Sequence, residues 1–310
     1  MTAIGKAREK YHIMELLDQM DRTGPSHPLR QAQDRPLRQA QDKPLVRVGD
    51  IGEVETYDES PFISATSPSG RRTGRARAFL KVQEGCDYNC SYCIIPAARG
   101  LGRSRPLDDC LKEARRLAAE GFQEIVLTGV NIGTWEADDL PGTPRGSAQG
   151  QGLLFHDLLA ALSRVEGLRR IRISSIEPNL ITDDLIRLMA RRENIAPHFH
   201  VPLQHASDRV LKAMRRRYSI ADYRAVIERI AAAIPDAAIG ADVMVGFPGE
   251  TEDDFRQLVE ALTALPLTYH HVFRYSEREG TSASRMTAAV DPAVRKERSC
   301  VLREIRRKRG

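Results

Sequence analysis

From residue 78 onward the sequence alternates short apolar runs with amphipathic stretches, and it does so six times. AFLKVQ (78–83), QEIVLTG (123–129), RRIRISS (169–175), HFHVPLQ (198–204), AIGADVMVGF (238–247) and YHHVFRY (269–275) have the length and content of strands. Between them stand helical patterns at 107–121, 152–167, 181–192, 207–214, 219–234 and 251–265. Gly121 and Gly167 are the expected stops, and Thr182 and Thr251 the expected N-caps. Such alternation requires parallel strands joined by crossovers, so the fold class is α/β. Six units fit either a doubly wound open sheet or an incomplete barrel, and periodicity does not choose between them. In both, ligands gather at the C-terminal ends of the strands.

The ends of the chain read differently. PLRQAQD occurs twice within residues 28–45, a stretch rich in Pro, Gln and charge without an apolar face, expected to be a flexible insertion. Before it, AREKYHIMELLDQM (7–20) has helical apolar spacing at Ile13, Leu16, Leu17 and Met20. The tail RKERSCVLREIRRKRG is strongly basic and reads either as a solvated amphipathic helix or as an RNA-contacting one. The net charge of +5 is a mild basic bias, compatible with nucleic acid without demonstrating it. With no run of 18 apolar residues and no apolar leader at the N-terminus, the expected location is the cytoplasm and no membrane partner is expected. Thiols stay reduced there, so clustered cysteines mean metal or catalysis before disulfides.

Three of the five cysteines, Cys86, Cys90 and Cys93, fall within the ten residues EGCDYNCSYC (84–93), just after the first strand. A structural zinc site wants a fourth ligand, which Cys110, Cys300 or a distant histidine would have to supply. An iron–sulfur cubane held by three thiolates leaves one iron open to a substrate or cofactor. Composition alone leaves both open.

The pattern C-x3-C-x2-C, with Tyr92 before the last cysteine, resembles the radical S-adenosylmethionine signature. KVQEGCDYNCSYCIIPAARGLGRSRP (81–106), LTGVNIGTW (127–135), RISSIEP (172–178), VPLQHASDRVLKAMRRRYS (201–219) and DVMVGFPGET (242–251) further resemble the methylthiotransferases of that superfamily. The combination of GVNIG and SSIEP is similar to the bacterial branch that modifies threonylcarbamoyladenosine in tRNA. The resemblance implies a six-unit partial (β/α) barrel of the radical SAM type spanning 78–290. It implies a [4Fe-4S] cluster on Cys86, Cys90 and Cys93, S-adenosyl-L-methionine on the open iron, and a reducing electron donor such as flavodoxin or ferredoxin. The reaction it implies adds a methylthio group to C2 of an anticodon-loop adenosine of tRNA. A protein methylthiotransferase and a non-catalytic zinc and RNA-binding fragment are the alternatives.

Candidate cofactor-binding residues follow the strand ends. Tyr92 is expected beside the adenosyl group. Thr128, Gly129 and Asn131 follow the second strand, where a glycine lets backbone approach a cofactor. Glu177, after the third, suits a ribose or an ammonium group. Gln204 ends the fourth and faces the mouth of the site, and His205 beside it reads as a packed loop residue. Gly246 and Phe247 follow the fifth, with Phe247 expected against adenine. Among Arg215, Arg216 and Arg217, one suits a carboxylate or phosphate, with Arg216 as the candidate. Alternation lets at most one of His270 and His271 face the barrel. Cys110 reads as an inert packed thiol.

The family resemblance also implies an N-terminal domain with three further cysteines and a second cluster, and a C-terminal RNA-binding barrel. No cysteine precedes Cys86. Residues 1–77 therefore read as a remnant of that first domain plus a linker, and 291–310 as a basic helix leading to the second. On this reading the chain is truncated at both ends, and radical generation is expected to be more robust than full methylthiolation.

Overall fold

The computed structural model describes residues 77–137 and 152–307, together with a pair of two-residue parallel strands, Ala3–Ile4 and Val46–Arg47. The repeat at 28–45 and the helical pattern at 7–20 lie outside the described residues.

Six parallel strands run in sequence order. β1 (Arg77–Lys81), β2 (Glu124–Thr128) and β3 (Arg170–Ile173) form one ladder. β4 (His198–His200), β5 (Ala238–Val245) and β6 (Tyr269–Arg274) form the other. Backbone bonds join the two: Ala196 N–H donates to Ile171 at 2.8 Å, and Ile176 N–H to His200 at 3.0 Å. The order never reverses, which excludes the doubly wound alternative. Among the described residues β1 does not pair with β6, so the strands form an open arc, a barrel left incomplete.

Helices cover one face of this arc. They are α1 (Ile95–Arg99), α2 (Leu107–Ala119), α3 (Phe155–Leu162), α4 (Asp183–Arg191), α5 (Asp208–Ala213), α6 (Ile220–Ala233), α7 (Glu252–Ala264) and α8 (Pro292–Arg307). Alternate strand residues Ala78, Leu80, Ile125, Leu127, Ile171, Ile173, Ile239 and Val243 pack with helix residues such as Leu117, Leu158, Leu185, Ile227 and Leu258 in one core. The intervening residues, Arg77, Phe79, Arg170, Tyr269 and His271 among them, are partly or fully exposed on the inner face. The period of two therefore separates a helix-packed face from an open concave one.

Local chemistry sets the boundaries. α2 stops in a Schellman motif: Phe122 N–H donates to Leu117 and Gly121 N–H to Ala118, with Gly121 at φ 90°. Thr182 accepts from Leu185 N–H, and Ser219 and Thr251 form capping boxes with Asp222 and Asp254. α3 ends at Leu162 rather than at the expected Gly167. Ser163 turns back on the carbonyl of Ala160, and its own carbonyl accepts from Asn194. The regular part of β4 also ends early. Pro202 lacks an N–H, and Leu203 and Gln204 both donate to Asp242, making a bulge with Gln204 at φ 60°. α8 is neither free nor wholly solvated. Leu302 and Ser299 are buried, and the Leu302 carbonyl lies 2.9 Å from His270 Nε2. No helix among the described residues is long and apolar enough to cross a membrane.

Candidate cofactor and cluster site

After β1 the chain makes a short antiparallel pair, Gln83–Glu84 with Arg103–Ser104, and the cysteines occupy the loop between these two strands. Gly85 opens that loop at φ 71°. A Cβ there would lie 1.8 Å from the Leu101 carbonyl oxygen, so only glycine fits. Gln83, 1 % exposed, ties the loop to the next strand end. Its amide donates to the carbonyls of Glu84 and Gly85 at 3.0 and 2.9 Å, and its oxygen accepts from Val130 and Asn131 N–H at 2.9 and 2.8 Å. On the far side Ser91 bonds the carbonyls of Met214 and Ala213, anchoring the loop to the end of α5.

Each of the three thiols receives one donor. Tyr88 N–H approaches Cys86 Sγ at 3.4 Å, Arg216 Nη1 approaches Cys90 Sγ at 3.3 Å, and Ile95 N–H approaches Cys93 Sγ at 3.4 Å. Burial pushes the Cys86 and Cys90 thiols up. At Cys90 the Arg216 charge opposes that rise, and at Cys86 the Tyr88 N–H and the neighbouring Asn131 amide oppose it. Cys110 is buried in the core against the Arg105 carbonyl, its thiol pushed up to about 12 by burial, and Cys300 is exposed on α8. The expectation that Cys110 is an inert packed thiol fits this placement, and neither cysteine completes a four-thiol set.

Arg216 is the inward-facing arginine, with its side chain 3 % exposed. Beyond Cys90 it reaches the Tyr92 hydroxyl at 3.3 Å, the Tyr218 hydroxyl at 3.1 Å and the Glu177 carboxylate. Arg215 takes the left-handed conformation, φ 57°, and is exposed. Arg217 turns outward over the Tyr88 ring at 3.9 Å. Glu177 is pushed up by burial and by the Asp242 charge, against the pull of Arg216. The carboxylate expected to meet a ribose or ammonium group is thus held by a guanidinium beside the cluster loop.

The other candidates divide. Asn131 is 4 % exposed, and neither its amide oxygen nor its nitrogen has a hydrogen-bond partner. Thr128 Oγ1 lies 3.5 Å from the Leu80 carbonyl. At Gly129 a Cβ would lie 2.9 Å from Ile132 and 3.0 Å from Gln83, so the close approach of these side chains calls for glycine there. Gly246, at φ 76°, donates its N–H to Glu250 at 2.5 Å. Gln204 is partly exposed at the bulge. Phe247 does not lie open to an adenine. It is fully enclosed with Val210, Met214, Tyr275 and Ala283, and Tyr92 packs against that cluster. Its ring meets the Tyr275 ring edge-on, with centroids 5.6 Å apart. His205 is buried as expected, its Nδ1 accepting from Ser207 N–H at 3.0 Å.

Sequence reasoning missed Gln83 and a second group on the inner face. His200, Asp242 and His271 have ligating atoms within 4.8 Å of one another, the set with this property among the described residues. The signal was available in HFH and GADV, where polar or small residues alternate with apolar ones in strands. The three cysteine thiols do not converge so tightly. A single tetrahedral zinc would hold its sulfurs about 3.8 Å apart, given Zn–S of about 2.3 Å, whereas a cubane spreads them over separate irons. The donor set, a backbone or guanidinium donor to each sulfur and the buried Asn131 amide beside Cys86 fit a three-thiolate cluster with a polar cofactor on its open corner. A groove of about 750 Å³ between α2 and α3, lined by Leu111, Ala118, Ala161 and Val165, lies in the outer helix layer and brings no such groups together.

Comparison with known proteins agrees with this geometry. The chain is 43 % identical over 227 residues to the threonylcarbamoyladenosine tRNA methylthiotransferase MtaB of Bacillus subtilis, an alignment covering 73 % of this chain and 48 % of that protein. It is 40 % identical over 252 residues to the tRNA-2-methylthio-N6-dimethylallyladenosine synthase of Parafrankia sp., covering 81 % and 49 %. The chain thus spans about half the length of these relatives. Among solved structures, the radical S-adenosylmethionine methyltransferase TsrM of Kitasatospora setae matches with a TM-score of 0.53 at 20 % identity, over 66 % of this chain and 38 % of that one. Coproporphyrinogen III oxidase HemN of Escherichia coli, a radical SAM enzyme, matches with a TM-score of 0.50 at 15 % identity, over 73 % and 52 %. These two structures support the fold. Residues 80–262 match the Radical SAM superfamily model, and with the cysteine loop placed at the C-terminal end of β1, this chain belongs to that superfamily of [4Fe-4S] and S-adenosylmethionine enzymes.

Proposed function

We propose that the chain carries the radical core of a tRNA methylthiotransferase that adds a methylthio group to C2 of N6-threonylcarbamoyladenosine in the anticodon loop. The observation that carries this reading is the cysteine loop, with one donor to each sulfur and Arg216 bridging Cys90, Tyr92 and Glu177. The similarity to curated tRNA methylthiotransferases along most of the chain supports the reaction class.

Cys86, Cys90 and Cys93 would hold the cluster, and Asn131, Glu177, Arg216 and Tyr92 border the cofactor. The bound pair supplies a carbon radical able to take hydrogen from an unactivated position, and the protein's part is binding, orientation and exclusion of water. Arg216 does the orienting. Its guanidinium lies between a cluster sulfur and Glu177, so the charge of the loop and the position of the acid are set together. The Asn131 amide, buried beside the Cys86 thiol, offers polar atoms to an amino acid moiety. Tyr92, backed by the Phe247 cluster, closes the apolar side.

In this reading residues 78–290 form the catalytic core, a low-potential donor such as flavodoxin or ferredoxin reduces the cluster, and work on tRNA places the protein in the cytoplasm. Iron per chain after anaerobic reconstitution is the test. About four irons, with 5′-deoxyadenosine formed on reduction in the presence of S-adenosylmethionine, is expected. Zinc near one per chain with little iron would sink the radical reading and leave the zinc-bound alternative.

A further inference from the structure

The side of the site that Tyr92 closes is held from outside by the last helix. β6 is an edge strand among the described residues, so no strand pairs with its free side where the chain leaves it at Arg274. Tyr275, the next residue, donates its N–H to the Val245 carbonyl at the end of β5 at 2.9 Å. Its own carbonyl accepts from Arg295 Nη1 of α8 at 3.1 Å, and Arg295 Nε donates to the Val290 carbonyl at 2.8 Å. The Arg295 guanidinium also lies over the Tyr275 ring, 5.4 Å from its centroid. Its aliphatic stem fills the space that a side chain at Gly246 would need, since a Cβ there would lie 2.2 Å from Arg295 Cγ.

One turn further along α8, Arg298 holds the β5 side. It bonds one oxygen of the Glu250 carboxylate at 2.7 Å, and the other oxygen accepts the N–H groups of Gly246 and Phe247 at 2.5 and 3.2 Å. Burial pushes the Glu250 carboxyl up, and the Arg298 charge and the Gly246 N–H oppose that rise. Both arms end on one group of side chains. The Gly246–Phe247 turn carries the Phe247 ring and the strand end carries the Tyr275 ring, and with Val210, Met214 and Ala283 they form the apolar cluster against which Tyr92 packs. Ala283 N–H donates to the Ser91 carbonyl at 2.7 Å, one residue before Tyr92.

Packing alone does not call for these arginines. Leu302 already seats α8 in the main core, and taking a guanidinium out of water is costly where an apolar side chain would serve. What the two arginines add is direction: each fixes one strand end at a set distance from the helix, and a close-packed interior passes such a constraint to its neighbours. We infer that Arg295, Arg298 and Glu250 are positioning residues for S-adenosylmethionine: from α8 they set the Gly246–Phe247 turn and the Tyr275 ring, and through these the place of Tyr92 at the cofactor. The inference rests on the proposed place of Tyr92 and gives the basic helix a part in cofactor binding at one remove.

The test uses the reconstituted protein. Equilibrium dialysis of labelled S-adenosylmethionine without reductant gives Kd, and 5′-deoxyadenosine formation after reduction with dithionite gives KM and kcat per iron, with melting temperature measured alongside. The variants are Arg295→Met, Glu250→Gln and Arg295→Lys, with Tyr92→Leu as reference and Arg303→Met, on the exposed side of α8, as control. Arg295→Met and Glu250→Gln should each raise Kd and KM about tenfold, the worth of one hydrogen bond, with kcat per iron within about twofold of wild type. Arg295→Lys, able to reach one carbonyl, should fall between, and Arg303→Met should match wild type. A merely structural role would lower iron content and melting temperature and leave Kd and KM unchanged in the protein that remains. Where one of the two main variants loses its iron, the other decides the matter. Wild-type Kd and KM in these variants, or an equal rise in Arg303→Met, overturns the inference. A raised Kd in Tyr92→Leu alone would then leave the proposed place of Tyr92 standing, whereas an unchanged Kd in Tyr92→Leu overturns that placement and the inference with it. Wild type that binds no S-adenosylmethionine overturns the radical reading as a whole.

Discussion

Arg216 concentrates more of the site than any other side chain, meeting a thiol, two phenols and a carboxylate within one buried volume. Removing it leaves Glu177 buried without its counter-charge. Arg216→Ala should therefore cost about 3–5 kcal/mol, the range for breaking a buried pair from one side. Arg216→Ala with Glu177→Gln should recover part of that loss, and a double-mutant cycle by urea denaturation measures the coupling. Recovery of stability without recovery of 5′-deoxyadenosine formation would separate the structural role of the pair from the cofactor role proposed for it. His205 gives a second residue-scale expectation. Burial holds its ring neutral down to about pH 4, against an ordinary value of 6.5. The unfolded chain binds that proton near pH 6.5, so the stabilisation is complete above 6.5 and lost as pH falls toward 4, by roughly 3 kcal/mol. His205→Gln should flatten the pH dependence of the urea midpoint across that window. A slope that persists assigns it elsewhere. The lowered Asp254 carboxyl, bonded by Arg209, Ser207 and Thr251 against its burial, acts only at lower pH.

At the scale of the element, the inner face depends on one missing methyl group. Gly240→Ala would drive a Cβ into the Tyr269 ring and break its bonds to His198 and His200. A cost of about 1–3 kcal/mol is expected from such overpacking, with a changed near-ultraviolet dichroism from the displaced tyrosine. A melting temperature like wild type with an unaltered tyrosine signal would mean that the ring has another place to go. The elements themselves were legible because their signals are local. Six strand runs, the Thr182 and Thr251 caps and the Gly121 stop all rest on neighbours within a turn. What could not be read depends on distant chain. α3 ends early because Asn194, 31 residues away, takes the Ser163 carbonyl. Which arginine of 215–217 faces inward depends on Arg215 entering the left-handed region after α5. Phe247 reads as an adenine platform until Val210, Met214 and Tyr275 are seen to enclose it. The cysteines were legible because a loop motif needs no distant partner, whereas HFH and GADV show polar strand positions but only the register of β4 against β5 shows that His200 and Asp242 meet, and Gln83 gives no local signal at all.

For the molecule as a whole, the basic C-terminal helix is part of the core rather than an appendage. Arg298 on α8 is buried and bonds Glu250 at 2.7 Å, and Glu250 in turn accepts the Gly246 and Phe247 N–H groups. Arg298→Ala should cost about 3–5 kcal/mol, a large share of a domain's total stability. A urea midpoint within error of wild type would show instead that α8 is dispensable to the fold. Because β1 and β6 share no hydrogen bonds among the described residues, the two ladders are joined strand to strand between β3 and β4. A second tie runs above the strands: Ser91 bonds the carbonyls of Met214 and Ala213, Ala283 N–H donates to Ser91, and Arg216 reaches Cys90. The cysteine loop thus works as a clasp, holding the two ends of the arc at a set spacing where no strand pairing does.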